Sequence, residues 1–160
     1  MLPWQKAVWQ NLTSSKDKQR LAHGLIFNGT KGLGKSILAT QFAHWLLCEN
    51  PLAEKACGIC KSCQLIEADS HPDIINIKPE EPGKAIKVDQ IRDLISKMSL
   101  TSHKQGYRII IISSADALNI NASNSLLKTL EEPPENTLLI LITDKLSKLM
   151  PTIRSRTQLV

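Results

Sequence analysis

The stretch Gly29-Thr30-Lys31-Gly32-Leu33-Gly34-Lys35-Ser36 satisfies every fixed position of the pattern G-x-x-x-x-G-K-S/T. This constrains the fold strongly, because the pattern works only between a buried strand and the start of a helix. Both flanks fit. Leu25-Ile26-Phe27 is short and apolar, as a central strand is, and a helical stretch runs from about Lys35 to Leu47. The glycines let the backbone curl so that successive N–H groups surround a polyphosphate. The helix N-terminus adds partial positive charge, Lys35 reaches the terminal phosphates, and the Ser36 hydroxyl can hold Mg²⁺. A random chain of this length would show the pattern roughly once in a couple of hundred. Gly29, Gly32, Gly34, Lys35 and Ser36 are therefore candidate nucleotide-binding residues, with ATP and Mg²⁺ as the expected ligands.

Strand and helix patterns alternate along the rest of the chain, the signature of an α/β fold with a parallel sheet covered on both faces. Apolar residues at 4, 8, 9 and 12 put one helical face on Trp4 to Leu12, with a polar link from Ser14 to Arg20. Asp73 to Ile77, Arg108 to Ile112 and Thr137 to Thr143 read as strands, the latter two buried on both faces. Lys78 to Lys84, with Pro79, Pro82 and Gly83, reads as a connector. Val88, Ile91, Leu94, Ile95 and Met98 step at helical spacing, and Asn121 to Glu132 forms a helix stopped by Pro133-Pro134.

The 160 residues carry a formal charge of +5 and are 42% hydrophobic, which suits a globular chain with a core of its own. The charge is uneven: residues 1–35 sum to +5, residues 36–143 to −3, and residues 144–160 to +3. Basic ends permit attraction to phosphates, and solvated lysines explain them equally well. Apolar runs such as Leu138 to Ile142 fall far short of the roughly 20 residues a bilayer needs. The polar start MLPWQKAVWQNL is unlike an export signal, so a cytoplasmic location is the expectation, with no membrane partner.

Binding a nucleotide differs from breaking it. Hydrolysis in this class needs an acid at the end of a buried strand to hold Mg²⁺. The strand Arg108 to Ile112 ends in Ser113-Ser114-Ala115-Asp116, where hydroxyls occupy the first positions and Asp116 lies two or three residues too far, placed to cap a helix instead. Feeble hydrolysis follows. All four cysteines, Cys48, Cys57, Cys60 and Cys63, fall within sixteen residues at spacing C-x8-C-x2-C-x2-C. In a reducing compartment that clustering points to a metal rather than disulfides. Four thiolates satisfy a closed, structural zinc site, whereas the Cys-Pro ending of ferredoxin-type iron–sulfur runs is missing.

Two further segments are hard to explain by folding alone: Ser125 to Pro134, a helix ending in two acids and two prolines, and Thr152-Ile153-Arg154-Ser155-Arg156. Together with Leu21-Ala22-His23-Gly24, the phosphate loop, the cysteines and His71-Pro72-Asp73, they resemble the bacterial sliding-clamp loader family of DNA polymerase III. The likeness is greatest to the N-terminal AAA+ region of its delta-prime branch. It covers nearly the whole chain.

The resemblance implies a P-loop NTPase fold of the AAA+, RecA-like kind, a three-layer sandwich with an inserted four-cysteine zinc module at about 48–63. On this reading residues 1–160 form the AAA+ core and the family's lid and collar domains lie outside them. It implies a stator that donates Arg156 in trans to a neighbouring ATP site, with Thr143 at the position that senses the γ-phosphate. The implied partners are the gamma/tau and delta subunits, and through them the sliding clamp and primer–template DNA. Ser113-Ser114 departs from the Asp-Glu of motor subunits, and Thr157 stands where the family usually has cysteine. The alternatives are a gamma/tau-type motor, a stand-alone P-loop NTPase or kinase, and a zinc-stabilised nucleic-acid module. Six aromatic residues, mostly at apolar helix and strand positions, give the last little stacking surface.

Overall fold

The computed structural model describes residues 2–100 and 106–160. Among these residues five strands form one sheet: β1 (Gly24–Asn28), β2 (Ile74–Ile77), β3 (Arg108–Ile112), β4 (Thr137–Thr143) and β5 (Gln158–Leu159). Their order across the sheet is β2-β3-β4-β1-β5, and every pairing is parallel. β1 and β4 align from Gly24 opposite Leu139 to Asn28 opposite Thr143. This brings the end of β4 beside the loop that follows β1. In an open parallel sheet, ligand sites lie beyond the carboxyl ends of such strands.

The unbroken apolar runs are explained by the two layers that flank the sheet. Alternate side chains point to opposite faces, so Ile110, Ile112, Leu139 and Leu141 pack with Ile91, Leu94, Leu126 and Ile153. These come from α4 (Val88–Leu100), α5 (Ile120–Glu131) and α6 (Pro151–Arg154). Ile109, Ile111, Leu138 and Ile140 face the other way, onto Trp9, Leu12, Phe42 and Trp45 of α1 (Lys6–Asp17) and α2 (Lys35–Leu47). The rings of Trp9, Phe42 and Trp45 lie with centroids 6.0 Å apart, edge-on or stacked.

Three readings need correction. α1 continues through Asp17, so the polar residues read as a link extend the helix instead, with the hydroxyls of Thr13 and Ser15 donating to the carbonyls of Trp9 and Asn11. Trp4 lies in a 3₁₀ turn (Pro3–Gln5) and is 61% exposed, while Gln5 takes the buried place. Asn119 caps α5, its Oδ1 accepting the Ala122 N–H at 2.7 Å, and Asp116 is free for another role. The short α3 (Lys61–Glu67), α6 and β5 carry too little periodicity to be read from sequence. No described helix is long and apolar enough to cross a membrane.

Candidate functional site

The loop between β1 and α2 is held from outside by the N-terminal turn. Gln5 Nε2 donates to the carbonyls of Leu33 (3.1 Å) and Gly34 (2.9 Å), and its Oε1 accepts the Leu2 N–H at 3.0 Å. Gly34 sits at φ +75°, and a Cβ there would lie 2.5 Å from Leu2 Cδ1 and 2.9 Å from Gln5 Nε2. Its glycine identity thus answers both a left-handed backbone and a close approach. Gln5 was not visible as a site residue in the sequence, because its partners lie nearly thirty positions away.

A cleft of about 430 Å³ opens in front of the loop, lined among others by Gly32, Gly34, Lys35, Ser36, Ser113, Ser114, Asp116 and Asp144. Lys35 Nζ donates to the carbonyls of Gly29 (2.7 Å) and Thr30 (2.9 Å) and to Asp144 Oδ1 at 2.6 Å. Asp116 does reach this cleft. Ser114, at φ 57°, turns the chain back after β3, and the 3₁₀ turn Ala115–Ala117 presents the carboxylate to Thr143, whose Oγ1 donates to Asp116 Oδ1 at 2.9 Å. Thr143 is buried and also accepts the Lys145 N–H at 3.0 Å, so its hydroxyl is committed on both sides. Asp116 and Asp144 thus both lie at the cleft, each engaged by a group of its own chain, while Ser113 and Ser114 hold the two positions directly after β3.

The four cysteines form a second constellation, with all Sγ atoms within 4.8 Å of one another. Cys48 and Cys60 Sγ are 4.0 Å apart, and Cys57 and Cys63 Sγ are 3.9 Å apart. Disulfides, at about 2.05 Å, are excluded, and all four are free cysteines. A tetrahedral ion with M–S bonds of about 2.3 Å places its sulfurs about 3.8 Å apart. The cage fits such an ion. Backbone N–H groups of Cys57, Cys60 and Cys63 each donate to the sulfur of another cysteine, and Cys60 Sγ caps α3 by this bond. N–H donors from Ile59 and Cys60 pull the Cys57 thiol down to about 6, and N–H groups of Cys63 and Glu49 lower Cys60. Burial pushes Cys63 up to about 12 and also raises Cys48.

The insert is tied to the body at several points. Trp45 Nε1 donates to the Leu52 carbonyl at 2.7 Å and Trp9 Nε1 to that of Ala53 at 3.3 Å. His71 Nε2 meets Ser62 Oγ at 2.9 Å while its Nδ1 accepts the Asp73 N–H at 3.1 Å. The ring thereby links α3 to the approach of β2, with its proton on Nε2 in the neutral form.

Arg156 follows α6 and does not line the cleft of its own loop. Its NH2 lies 2.9 Å from Glu131 Oε1, and NH1 donates to the Thr152 carbonyl and to Ser155 Oγ. The acid at the end of α5, unfavourable to the helix dipole, thus has a partner. His23 Nε2 contacts the Leu130 carbonyl at 3.0 Å. A Cβ on Gly24 would meet Thr157 Cγ2 at 2.8 Å and Leu130 Cδ2 at 3.1 Å, so the strand entry, the end of α5 and the Arg156 turn are packed together. Gly24→Val is expected to destabilise the chain by about 1–3 kcal/mol through overpacking, read as a lowered denaturation midpoint.

Comparison with known proteins bears on this arrangement. The protein family described as "DNA polymerase III, delta subunit" matches residues 4–160. The chain is 45% identical over 154 residues to the DNA polymerase III subunit delta' of Pseudomonas aeruginosa, spanning 96% of this chain and 46% of that protein. It is 43% identical to the subunit delta' of Bacillus subtilis, again over 96% of this chain and 46% of that protein. It is 34% identical to the subunit tau of Escherichia coli over 95% of this chain and 23% of that protein. The chain thus spans about half the length of the curated delta' relatives it matches. A gamma subunit-related protein of Thermotoga maritima shares the fold with a TM-score of 0.67 at 24% identity, covering 93% of this chain and 44% of that one. The RuvB Holliday junction branch migration motor of the same organism does so at 0.54 and 18%, covering 98% of this chain and 43% of that one. The parallel sheet, the phosphate loop and these relatives agree on an AAA+ fold, and the chain belongs to the DNA polymerase III delta-subunit family, in its delta-prime branch.

Proposed function

We propose that this chain is the AAA+ part of a non-motor subunit of the sliding-clamp loader in DNA replication. It works in the cytoplasm with gamma/tau and delta subunits, and through them with the clamp and primer–template DNA. Arg156 enters the ATP site of a neighbouring motor and stabilises charge on the transferring phosphoryl group. The observation that carries this reading is the placement of Arg156: it is half-exposed beside Glu131, away from the chain's own cleft. A guanidinium so placed is ready to exchange one carboxylate for a phosphate from another subunit.

The loop Gly29, Gly32, Gly34, Lys35 and Ser36 binds ATP with Mg²⁺ held at Ser36, and Thr143 marks the γ-phosphate end of the cleft. Hydrolysis is poor because the residues following β3 are Ser113 and Ser114, whose hydroxyls neither neutralise a metal nor accept a proton near neutral pH. Cys48, Cys57, Cys60 and Cys63 bind one zinc ion, which closes the insert and takes no part in chemistry. The ion supplies positive charge that keeps all four thiols ionised.

The motor reading draws on one observation, the presence of Asp116 and Asp144 at the cleft. The test is ATP turnover by the purified full-length subunit. Background-level release, unchanged in Lys35→Ala, is expected; steady turnover abolished by that substitution would make the chain a motor.

A further inference from the structure

The chain supplies an anion of its own to the lysine that a nucleotide needs. We propose that Asp144 sets the nucleotide affinity of the cleft by competing with phosphate for Lys35, an inference that rests on the phosphate loop being an ATP site. An ammonium has three N–H donors, and Lys35 uses them on Gly29 O, Thr30 O and Asp144 Oδ1. The two carbonyls belong to the loop itself and hold the ammonium in place. The third bond is the one a phosphate must take. At 2.6 Å it is charge-assisted, and the Lys35 side chain is only 11% exposed, against 44% for Asp144. It is therefore unlike the freely solvated pairs that contribute little.

Asp144 is also aimed. The residue before it is pinned on Asp116 through Thr143 Oγ1, and the same oxygen holds the N–H of the residue after it, Lys145. The backbone carrying the carboxylate is thereby fixed at the cleft wall. Even when displaced, Asp144 remains a negative charge lining a cavity that must accept a polyphosphate. A site that is competent only when this pair is open binds more weakly by the fraction of time it is open. An ion pair closed about nine-tenths of the time lowers affinity about tenfold.

Calorimetric titration of ATP into the full-length subunit tests this, using the native protein, Asp144→Asn, Asp144→Ala and Lys35→Ala, each with Mg²⁺ and with chelator. Both Asp144 variants are expected to bind ATP about tenfold tighter than the native protein under both conditions, and Lys35→Ala to lose binding. Unchanged affinity in the Asp144 variants, with Lys35→Ala still inactive, overturns the competition and leaves the ATP site standing. Weaker binding confined to Mg²⁺ overturns it too, by making Asp144 a metal ligand. Absence of binding even in Asp144→Ala overturns it as well. Native-like binding by Lys35→Ala removes the ATP site itself, and the competition with it.

Discussion

Arg156→Ala, introduced into the full-length subunit and assembled with its motor neighbours on primed DNA, is expected to slow hydrolysis at the adjoining site by on the order of 10³-fold. A trans arginine acts on charge that develops only in the transition state, so the turnover number should fall while ATP affinity at that site changes little. The other sites of the ring should be silenced by substitution of their own phosphate-loop lysines, so that a single site is read. Arg156→Lys should not restore the rate, because a point charge cannot reproduce the planar fork of the guanidinium. Undiminished hydrolysis in Arg156→Ala would remove the trans role.

Metal removal is the second large effect. One zinc per chain is expected on analysis, and a strong chelator should strip it together with the order of the insert. Hydrogen exchange locates the loss: amides of α3 should become unprotected while those of β3 and β4 stay protected. α3 depends on the cage because Cys60 Sγ caps it and Cys63 lies in its first turn. β3 and β4 are buried between two apolar layers instead. Tryptophan emission should shift as well, since Trp9 and Trp45 donate to the carbonyls of Ala53 and Leu52 within the insert. Cys60→Ser should reproduce the chelator result, and full protection of α3 without metal would contradict it.

The same cage has a pH signature. Metal requires thiolates, so protons compete with it and stabilisation by the ion is lost as pH falls. Cys57, held down to about 6 by N–H donors, is already ionised at pH 7.5, and Cys60 is shifted the same way. Cys63, pushed up to about 12 by burial, and Cys48, also raised, must give up their protons when metal enters. Binding at pH 7.5 should therefore release fewer than four protons, measurable as the dependence of binding heat on the ionisation enthalpy of the buffer.

Much of this molecule was legible in one dimension. The helix Lys35–Leu47 and the strands Arg108–Ile112 and Thr137–Thr143 lie where the pattern places them, because a strand buried on both faces must be apolar throughout. The cysteines could be grouped by spacing because a turn and one short helix bring all four sulfurs together. The segment after β4 was not legible. α6 spans four residues and β5 two, and neither is long enough to establish a period.

Local pattern was enough for the longer strands and helices, the glycine loop and the grouping of the four thiols. Each rests on contacts between near neighbours or on the apolar periodicity of a single element. Which partner each carboxylate meets was settled by the folded sheet. Asp144 reaches Lys35 across 109 positions, Asp116 reaches Thr143 across 27, and Glu131 meets the arginine proposed to act on another subunit. The sheet order β2-β3-β4-β1-β5 places the ends of β1 and β4 side by side, and a contact of that range leaves no local mark on the chain.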